Sequence, residues 1–571
     1  MIILGLWDGH DAGAACLVDG RLVAAVNEER LTRRKLEVAF PVRSIALCLK
    51  QAGVSAADVT RVAASTTDPA KALERLLPWT KERYYQVRRR QTAPGALAHV
   101  TRSLKRRVTT WPPMAWSRAL SRAMLQRQLR AAGLAGSPLT LFDHHHCHAL
   151  AAAHASGFAQ AAVVTIDGLG DGVSATIGRF VNGRYEVLRR SHARDSLGVF
   201  FEHVTELLNM RELEDEGKVM ALADHAAPVP DVENPLLALM QVIDGRLISS
   251  HSPARLARQL AHVHWSCPNE RFAHLAQRMV EVLAAALVRD AVRITGCRHV
   301  ALSGGVASNV KANRTIRHLP EVDDVYVFPH MGDGGLPAGA AIAAWAETSR
   351  DRRVEVDPRT LGPVYPVAAL ELAVQGRGLS PTRPQDLASD VVRRLAQGQI
   401  VCWFQGAMEY GPRALGQRSV LARPGSLAIK DRLNLVLKRR VWYQPFCPSL
   451  LESEAPAILR DWHIGGHSNR DMTMAYQVRP EALEQMRGVV NVDGSCRPQI
   501  VRSDDPTPFG DLLRATKRET GIGVLLNTSF NIHGEPLVCT PDEAVDVFLR
   551  GGADALVMGP FVAERPGAAF A

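Results

Sequence analysis

Short apolar runs alternate with polar turns along this chain in a rhythm that predicts an α/β protein. Residues 2–7 (IILGLW) fit a buried strand, and Asp8-Gly9-His10-Asp11 follows as a tight polar turn. Residues 14–18 and 22–26 are further apolar runs separated by Asp19-Gly20, a hairpin signal. Residues 42–52 have helical spacing. Asp143 is placed to cap a helix that begins with His144. Residues 163–172 (VVTIDGLGDG) read as a buried strand ending in a glycine-rich acidic turn, with strands over 173–180 and 184–191 after it. Strand, Asp-Gly turn and hairpin therefore occur twice, which fits a duplicated domain with a cleft between its halves. Residues 299–303 form a strand leading into Gly304-Gly305, with a helix over 308–316. Residues 325–346 give a strand, another glycine-rich acidic turn and an Ala-rich helix. The polar, Pro-bearing stretch 350–385 reads as a linker between a first domain, 1–349, and a second, 386–571.

Bulk properties narrow the class. The chain has 571 residues, 46% of them hydrophobic and 22% charged, which is globular composition with material for several cores. No run of about 18 apolar residues predicts a membrane span, and the first residues lack the features of a secretion signal. The 9 cysteines are scattered without a CxxC pair, which fits free thiols in a reducing, cytoplasmic compartment. The net charge of +10 is concentrated in one place: residues 81–130 hold thirteen Lys and Arg against the single acid Glu82. That tract, an insertion over about 80–135, reads as a solvated, partly helical segment or as a surface for an anionic partner or a membrane. Trp111 and Trp116 within it fit a lid or a docking face.

Six groups of residues carry candidate chemistry. The turn Asp8 to Ala12 leaves a buried strand at the end where open α/β sheets bind ligands, and His10 is either a general base or a surface histidine. His144 and His148 are four apart and share a helix face, a spacing for two imidazoles on one ion or for a polar cap. Imidazole suits several metals, so spacing does not name one. Three glycine-rich turns, at 167–172, 304–305 and 332–335, suit phosphate approach, and Asp167 and Asp333 could bind a cation. Glu216-Gly217-Lys218 is a nucleotide contact or a polar turn. Glu409 to Gly416, with Gln417-Arg418-Ser419, Lys438-Arg439-Arg440 and Pro445 to Pro448, is a dense basic group suited to phosphate or carbamate oxygens, or else a surface patch. Arg497-Pro498-Gln499 and Leu526 to Asn531, with Gly534-Glu535-Pro536, could bind phosphate or a carbonyl, or form turns.

Together these runs resemble the NodU/CmcH/TobZ O-carbamoyltransferases. The resemblance is carried by residues 10–15, 27–33, His144-His145 with His148, Glu216-Gly217-Lys218, Gly304-Gly305-Val306 with Asn309, residues 332–335, 409–416 and 527–531, in family order along nearly the whole chain. The runs GPRALG and NTSFN…GEP are specific; single glycine turns are not. The resemblance implies an actin-like (duplicated RNase H-like) ATPase-type N-terminal domain, similar to the tRNA threonylcarbamoyl transferases, and a YrdC-like α/β C-terminal domain. It implies formation of carbamoyl adenylate from carbamoyl phosphate and ATP with Mg2+. Transfer to a hydroxyl of a small molecule, such as an antibiotic or sugar, would follow. His10 is then the base, with Asp8 as its orienting partner, and His144, His148 and Asp333 hold a divalent metal, iron in this family. Lys35, Asp167, Gly168, Glu216, Gly304, Gly305 and Asn309 face the nucleotide or adenylate. Arg413, Arg418, Lys438, Arg440, Arg497, Asn527 and Ser529 take carbamoyl phosphate and ATP.

Two positions depart from the family. Gln444 stands where an Arg usually precedes Pro-Phe, which puts adenylate formation in doubt unless Arg439 replaces it, and Gln417 stands for the usual Asn. Two rival readings are a tRNA threonylcarbamoyl transferase, whose basic tract would serve RNA, and a non-catalytic nucleotide-binding protein. The confinement of the charge to one tract argues against nucleic acid. Neither the acceptor nor the oligomeric state is legible.

Overall fold

The computed structural model describes residues 1–90, 92–93, 105, 107–349, 353–462 and 470–565. The chain divides into two compact units, Met1–Glu28 with Leu36–Val356, and Glu29–Lys35 with Asp357–Ala571.

In the first unit, β1 (Ile2–Trp7), β2 (Gly13–Val18), β3 (Arg21–Asn27), β4 (Arg61–Ser65) and β5 (Leu139–Phe142) form a sheet in the order β3-β2-β1-β4-β5. A second sheet is built from β6 (Gln160–Gly170), β7 (Val173–Val181) and β8 (Arg184–His192). A small hairpin, β9 (Met240–Ile243) and β10 (Arg246–Ser249), precedes its last strands, β11 (His299–Ser303) and β12 (Asp324–Val327). Its order is β12-β11-β6-β7-β8. Each sheet is a three-stranded antiparallel meander extended by two parallel strands, so the duplication expected from the repeated hairpin signal is present in the topology. Both hairpins turn on an Asp-Gly pair with positive φ at each residue, Asp19-Gly20 and Asp171-Gly172, as a tight two-residue connection of right-twisted strands requires.

Two buried helices, His144–Ala155 and Leu336–Thr348, lie between these sheets, and each begins on a polar turn. Their Ala- and Gly-rich sequences allow close approach. A Cβ on Gly339 would stand 2.1 Å from the carbonyl oxygen of Cys147, and one on Gly5 would stand 1.9 Å from that of Pro337. The spacing-based expectation of a helix over 308–316 corresponds to a helical turn followed by the helix Val310–Arg317, which Asn309 caps.

The described part of the basic tract forms the helices Pro78–Arg88 and Ala115–Ala131. Its charges turn inward more than a solvated face would. Arg88 bridges Glu202 and Glu212 at 2.5 and 2.6 Å, Arg89 donates to the Leu36 carbonyl at 2.6 Å, and Lys105 pairs with Glu74 at 2.5 Å. Trp111 and Trp116 are exposed.

The second unit is a seven-stranded mixed sheet. Its strands are β13 (Val401–Phe404), β14 (Arg418–Ala422), β15 (Cys447–Leu451), β18 (Gln499–Val501), β19 (Val524–Ser529), β20 (Ala555–Met558) and β21 (Phe561–Glu564). The order is β18-β15-β19-β14-β13-β20-β21, and β16 (Tyr476–Gln477) with β17 (Ser495–Cys496) forms a separate pair. Helices Leu387–Ala396 and Pro508–Thr520 close an apolar core around Trp403, Leu421, Phe509 and Leu525. Residues Glu29–Lys35 belong to this unit: Arg30 donates to the Gly411 carbonyl at 3.0 Å, and Arg33 to those of Pro536 and Leu537 at 2.9 and 2.7 Å. Of the stretch read as a linker, everything from Asp357 on groups with this unit and includes the helix Val367–Gln375. All nine cysteines are free. Among the described residues no helix is long and apolar enough to cross a membrane.

Gly5→Ala should force Leu336–Thr348 off β1 and lower stability by about 1–3 kcal/mol. Chemical denaturation measures this, and an unchanged midpoint would contradict the tight contact.

Candidate functional site

The densest polar centre of the first unit lies where the two buried helices begin. His144, His148, Asp167 and Asp333, all buried, each offer one ligand atom, and the four atoms lie within 4.8 Å of one another. Asp167 Oδ2 is 3.0 Å from His144 Nε2 and 3.8 Å from His148 Nε2, while Asp333 Oδ1 is 3.6 and 3.5 Å from them. Donors held at about 2.1 Å from one ion stand roughly 3.0–3.5 Å apart, so this set fits a single divalent cation with little adjustment. The imidazoles are aimed from behind. Ser303 Oγ donates to the Met331 carbonyl and meets His148 Nδ1 at 3.3 Å, while Thr66 Oγ1 meets His144 Nδ1 at 2.9 Å. These contacts turn both Nε2 atoms inward, as outer partners of metal-bound histidines do. His148 Nε2 is buried without a hydrogen-bond partner, which a cation would satisfy.

Charge reinforces this reading. Burial opposes a charged His144, but Asp333, Asp167 and Asp171 outweigh it and carry the imidazole up to about 9. Burial likewise opposes the charge of Asp167, yet its bond to His144 and the nearby His148 hold its carboxyl well below the usual range. Asp171 ties the centre together. Its Oδ1 accepts from the amides of Thr67 and Asp68 at 2.7 and 2.9 Å, and its Oδ2 from that of His144 at 2.9 Å. Burial and the neighbouring carboxylates of Asp68 and Asp143 push its carboxyl up to about 7.

His10 borders the same centre, with Nε2 3.6 Å from Asp333 Oδ2 and 22% of its side chain exposed, enough for a substrate to reach it. Burial pushes its imidazole down to about 4 against the pull of Asp333, so at neutral pH the ring is uncharged. The other ring nitrogen, Nδ1, faces the Tyr85 hydroxyl at 3.3 Å. Asn27 holds the turn in place, donating to the carbonyls of Asp11 and Gly334 at 2.9 and 3.2 Å and meeting His330 Nε2 at 2.8 Å. Asp8, expected as the orienting partner of His10, has both carboxylate oxygens committed to Arg75 (2.9 and 3.0 Å), with Lys71 at 2.9 Å. Arg75 also donates to the Thr66 carbonyl at 2.7 Å, so Asp8 supports the wall behind His144.

The nucleotide candidates divide. Gly304 adopts φ +95° because a Cβ there would meet the Ile166 carbonyl at 2.4 Å, and the Gly305 amide donates to Asp167 Oδ1 at 2.7 Å. Gly168 adjoins Asp167, and Ser196 donates to its carbonyl. These three line the turn that carries a metal candidate. Burial and Glu202 raise Glu216 to about 7. The Asn309 side chain caps Val310–Arg317 and exchanges hydrogen bonds of 2.8 and 3.0 Å with Gln277. Lys35 groups with the second unit, unlike the other nucleotide candidates.

In the second unit Arg413, Arg440 and Arg497 gather around the Cys447 thiol, to which Arg497 donates at 3.1 and 3.2 Å. Burial, then the charges of Arg497 and Arg440, depresses Arg413 to about 9; burial brings Arg440 to about 10. No carboxylate of the described residues pairs with any of the three. Guanidiniums grouped in this way suit an anion, whose oxygens would relieve the mutual repulsion. Arg418 lies apart from this cluster: its guanidinium is fully buried over Phe404, 3.6 Å from the ring centroid, and donates to the carbonyls of Gln405, Gly406, Gln417 and Pro363. The Lys438 ammonium donates to Ser529 and to Asn531 Oδ1 at 2.8 Å, which ties Lys438 to the loop after β19. The Asn527 amide joins Ala414, Ser449 and Gln499 in a buried network. The carbonyl of Gln444 accepts from Asn434 at 3.2 Å, and Arg439 is exposed.

Sequence reasoning missed Thr66, Ser303, Tyr85 and Asp171 as supporting groups, and named Asp167 both as a cation candidate and with the nucleotide. Only Asp167 and Asp171 carried a signal, as acids in a glycine turn; the others reach the centre from residues without a recurring pattern.

Comparison with known proteins finds a family match in each of the two units. Residues 2–342 match the family described as Carbamoyltransferase N-terminus and residues 392–565 that described as Carbamoyltransferase C-terminus. Nodulation protein NolNO of Sinorhizobium fredii is 30% identical over 97% of this chain and 79% of its own. Nodulation protein NolO of Bradyrhizobium diazoefficiens is 32% identical over 74% and 79%. The uncharacterized protein sll1178 of Synechocystis is 28% identical over 97% and 95%. Among solved structures, full-length HypF in its phosphate- and nucleotide-bound form covers 61% of this chain and 56% of its own at 14% identity and a TM-score of 0.32, too distant to support an inference.

An ion entering the centre must displace the proton that the ion-free site keeps on His144 up to about pH 9. Apparent metal affinity should therefore strengthen about tenfold per pH unit between pH 7 and 9. Competition with a chromophoric chelator measures this, and a flat profile would exclude His144 as a ligand. His148→Ala and Asp333→Asn should each lose the bound ion by elemental analysis, whereas Arg418→Ala should lower the melting temperature.

Proposed function

The chain belongs to the carbamoyltransferase family, and from that premise we propose that it is an ATP-dependent O-carbamoyltransferase that divides its chemistry between two units. The observation that carries this reading is the group of three guanidiniums in the second unit, Arg413, Arg440 and Arg497, which have no acidic partner among the described residues. They would hold the phosphate of carbamoyl phosphate, neutralising its charge while water releases carbamate and inorganic phosphate. The carbamate oxygen then attacks the α-phosphorus of ATP bound with Mg2+, giving carbamoyl adenylate and pyrophosphate. Adenylation converts an anion that resists attack into an acyl donor with AMP as leaving group, and fixed cations stabilise the charge that builds up.

In the first unit, we read His10 Nε2 as the base that takes the proton of an acceptor hydroxyl. The oxygen of that hydroxyl forms a bond to the carbamoyl carbon, and AMP departs. His144, His148, Asp167 and Asp333 would hold the divalent cation, for which two imidazoles and two carboxylates suit the iron expected from the family. When bound, it supplies a Lewis acid for the phosphate of the departing AMP. The actin-like label for the first unit, the YrdC-like label for the second, a small-molecule acceptor and a cytoplasmic setting belong to this proposal.

Pyrophosphate release from ATP and carbamoyl phosphate, without an acceptor, should persist in His10→Ala and fall at least about a hundredfold in Arg413→Ala. Normal release by Arg413→Ala would remove the arginine site from the reading, and loss of release in His10→Ala would overturn the division of labour.

A further inference from the structure

The helix Pro78–Arg88 lies in the basic tract, outside the motifs that carry the family resemblance, yet it brings a phenol to the catalytic turn. Tyr85 places its hydroxyl 3.3 Å from His10 Nδ1, with the two ring centroids 5.5 Å apart. The helix is held firmly where this happens. Arg88 spans Glu202 and Glu212, Arg89 donates to the Leu36 carbonyl, and Arg90 donates to the Asn209 carbonyl at 3.0 Å. The Arg89 guanidinium also lies 5.5 Å from the Tyr85 ring centroid and Lys105 Nζ 4.8 Å from it, so cations pack the faces of the phenol. On the other side of His10, Trp7 Nε1 donates to the His10 carbonyl at 2.7 Å, which fixes the backbone and leaves the ring orientation to its neighbours. Those neighbours are Tyr85 at Nδ1 and Asp333 at Nε2.

We propose that Tyr85 is a positioning residue for His10: its hydroxyl oxygen accepts the Nδ1 proton, so that the Nε2 lone pair faces the metal-binding carboxylates. This rests on the reading of His10 as the base. A ring with both nitrogens unguided would spend part of its time with the proton on Nε2, drawn there by Asp333, and in that tautomer it accepts nothing from the acceptor hydroxyl. Tyr85 removes that competition, while burial keeps the phenol neutral. The basic tract thereby becomes a wall of the catalytic centre, and its arginines serve to seat one tyrosine.

The test uses the full chain, labelled with 15N-histidine and loaded with diamagnetic Zn2+. His10→Gln identifies the His10 ring signals by their disappearance. Wild type should show His10 as one tautomer, with Nδ1 protonated and Nε2 bare. In Tyr85→Phe the two nitrogen shifts should move toward their average, and unchanged shifts would overturn the proposal. A kinetic arm measures AMP release with glycerol as a stand-in acceptor. Tyr85→Phe should lower kcat about tenfold with KM within about twofold, leave pyrophosphate release without acceptor unchanged, and add no further loss to His10→Ala. A fall in pyrophosphate release, or additive losses in the double variant, would show a merely structural tyrosine. Wild-type AMP release by His10→Ala would instead sink the role of His10, and the nitrogen shifts would still decide that of Tyr85.

Discussion

The first unit depends on how closely two helices can approach. His144–Ala155 and Leu336–Thr348 are built from Ala and Gly where they meet, and backbone nearly touches backbone at Gly339 and Cys147. This brings their starts, with His144 and Asp333, to within 3.6 Å of each other at the acidic turn of β6. Larger side chains along that contact would separate the helix starts by ångströms and dissolve a cluster that needs all four donors within 4.8 Å. The positive ends of both helices also favour the carboxylates gathered there.

The two units present opposite electrostatic problems. In the first, two carboxylates and two imidazoles crowd together, and their charges are balanced only when a proton or a cation sits among them. In the second, three guanidiniums crowd together, and Arg497 and Arg440 make Arg413 harder to charge. One arrangement calls for a cation and the other for an anion. Buried like-charged groups are costly unless something binds them, so neither cluster is explained by folding stability alone.

Much of this was legible because it is local. The hairpins at Asp19-Gly20 and Asp171-Gly172, the cap at Asp143 and the four-residue spacing of His144 and His148 are consequences of short-range backbone geometry, and the structure contains all of them. The dense basic motif of the second unit was harder to read. Arg413 and Arg418 are five residues apart beside the same glycines. One joins the arginine cluster around Cys447, while the other is buried on Phe404 beneath four carbonyls. Their local sequences do not distinguish these fates, because the outcome is set by Pro363 and Gln405, which arrive from elsewhere in the chain.

From residues alone came the α/β class, the duplicated first unit, the pair of histidines on one helix face and the glycine turns, each written in a pattern a few residues long. Only the tertiary structure decided that the carboxylates of Asp167 and Asp333 meet both imidazoles within 4.8 Å, that Asp8 serves Arg75, and that a tyrosine from the basic tract stands at His10. Those pairings join residues tens to hundreds of positions apart, and their distances follow from how sheets and helices pack.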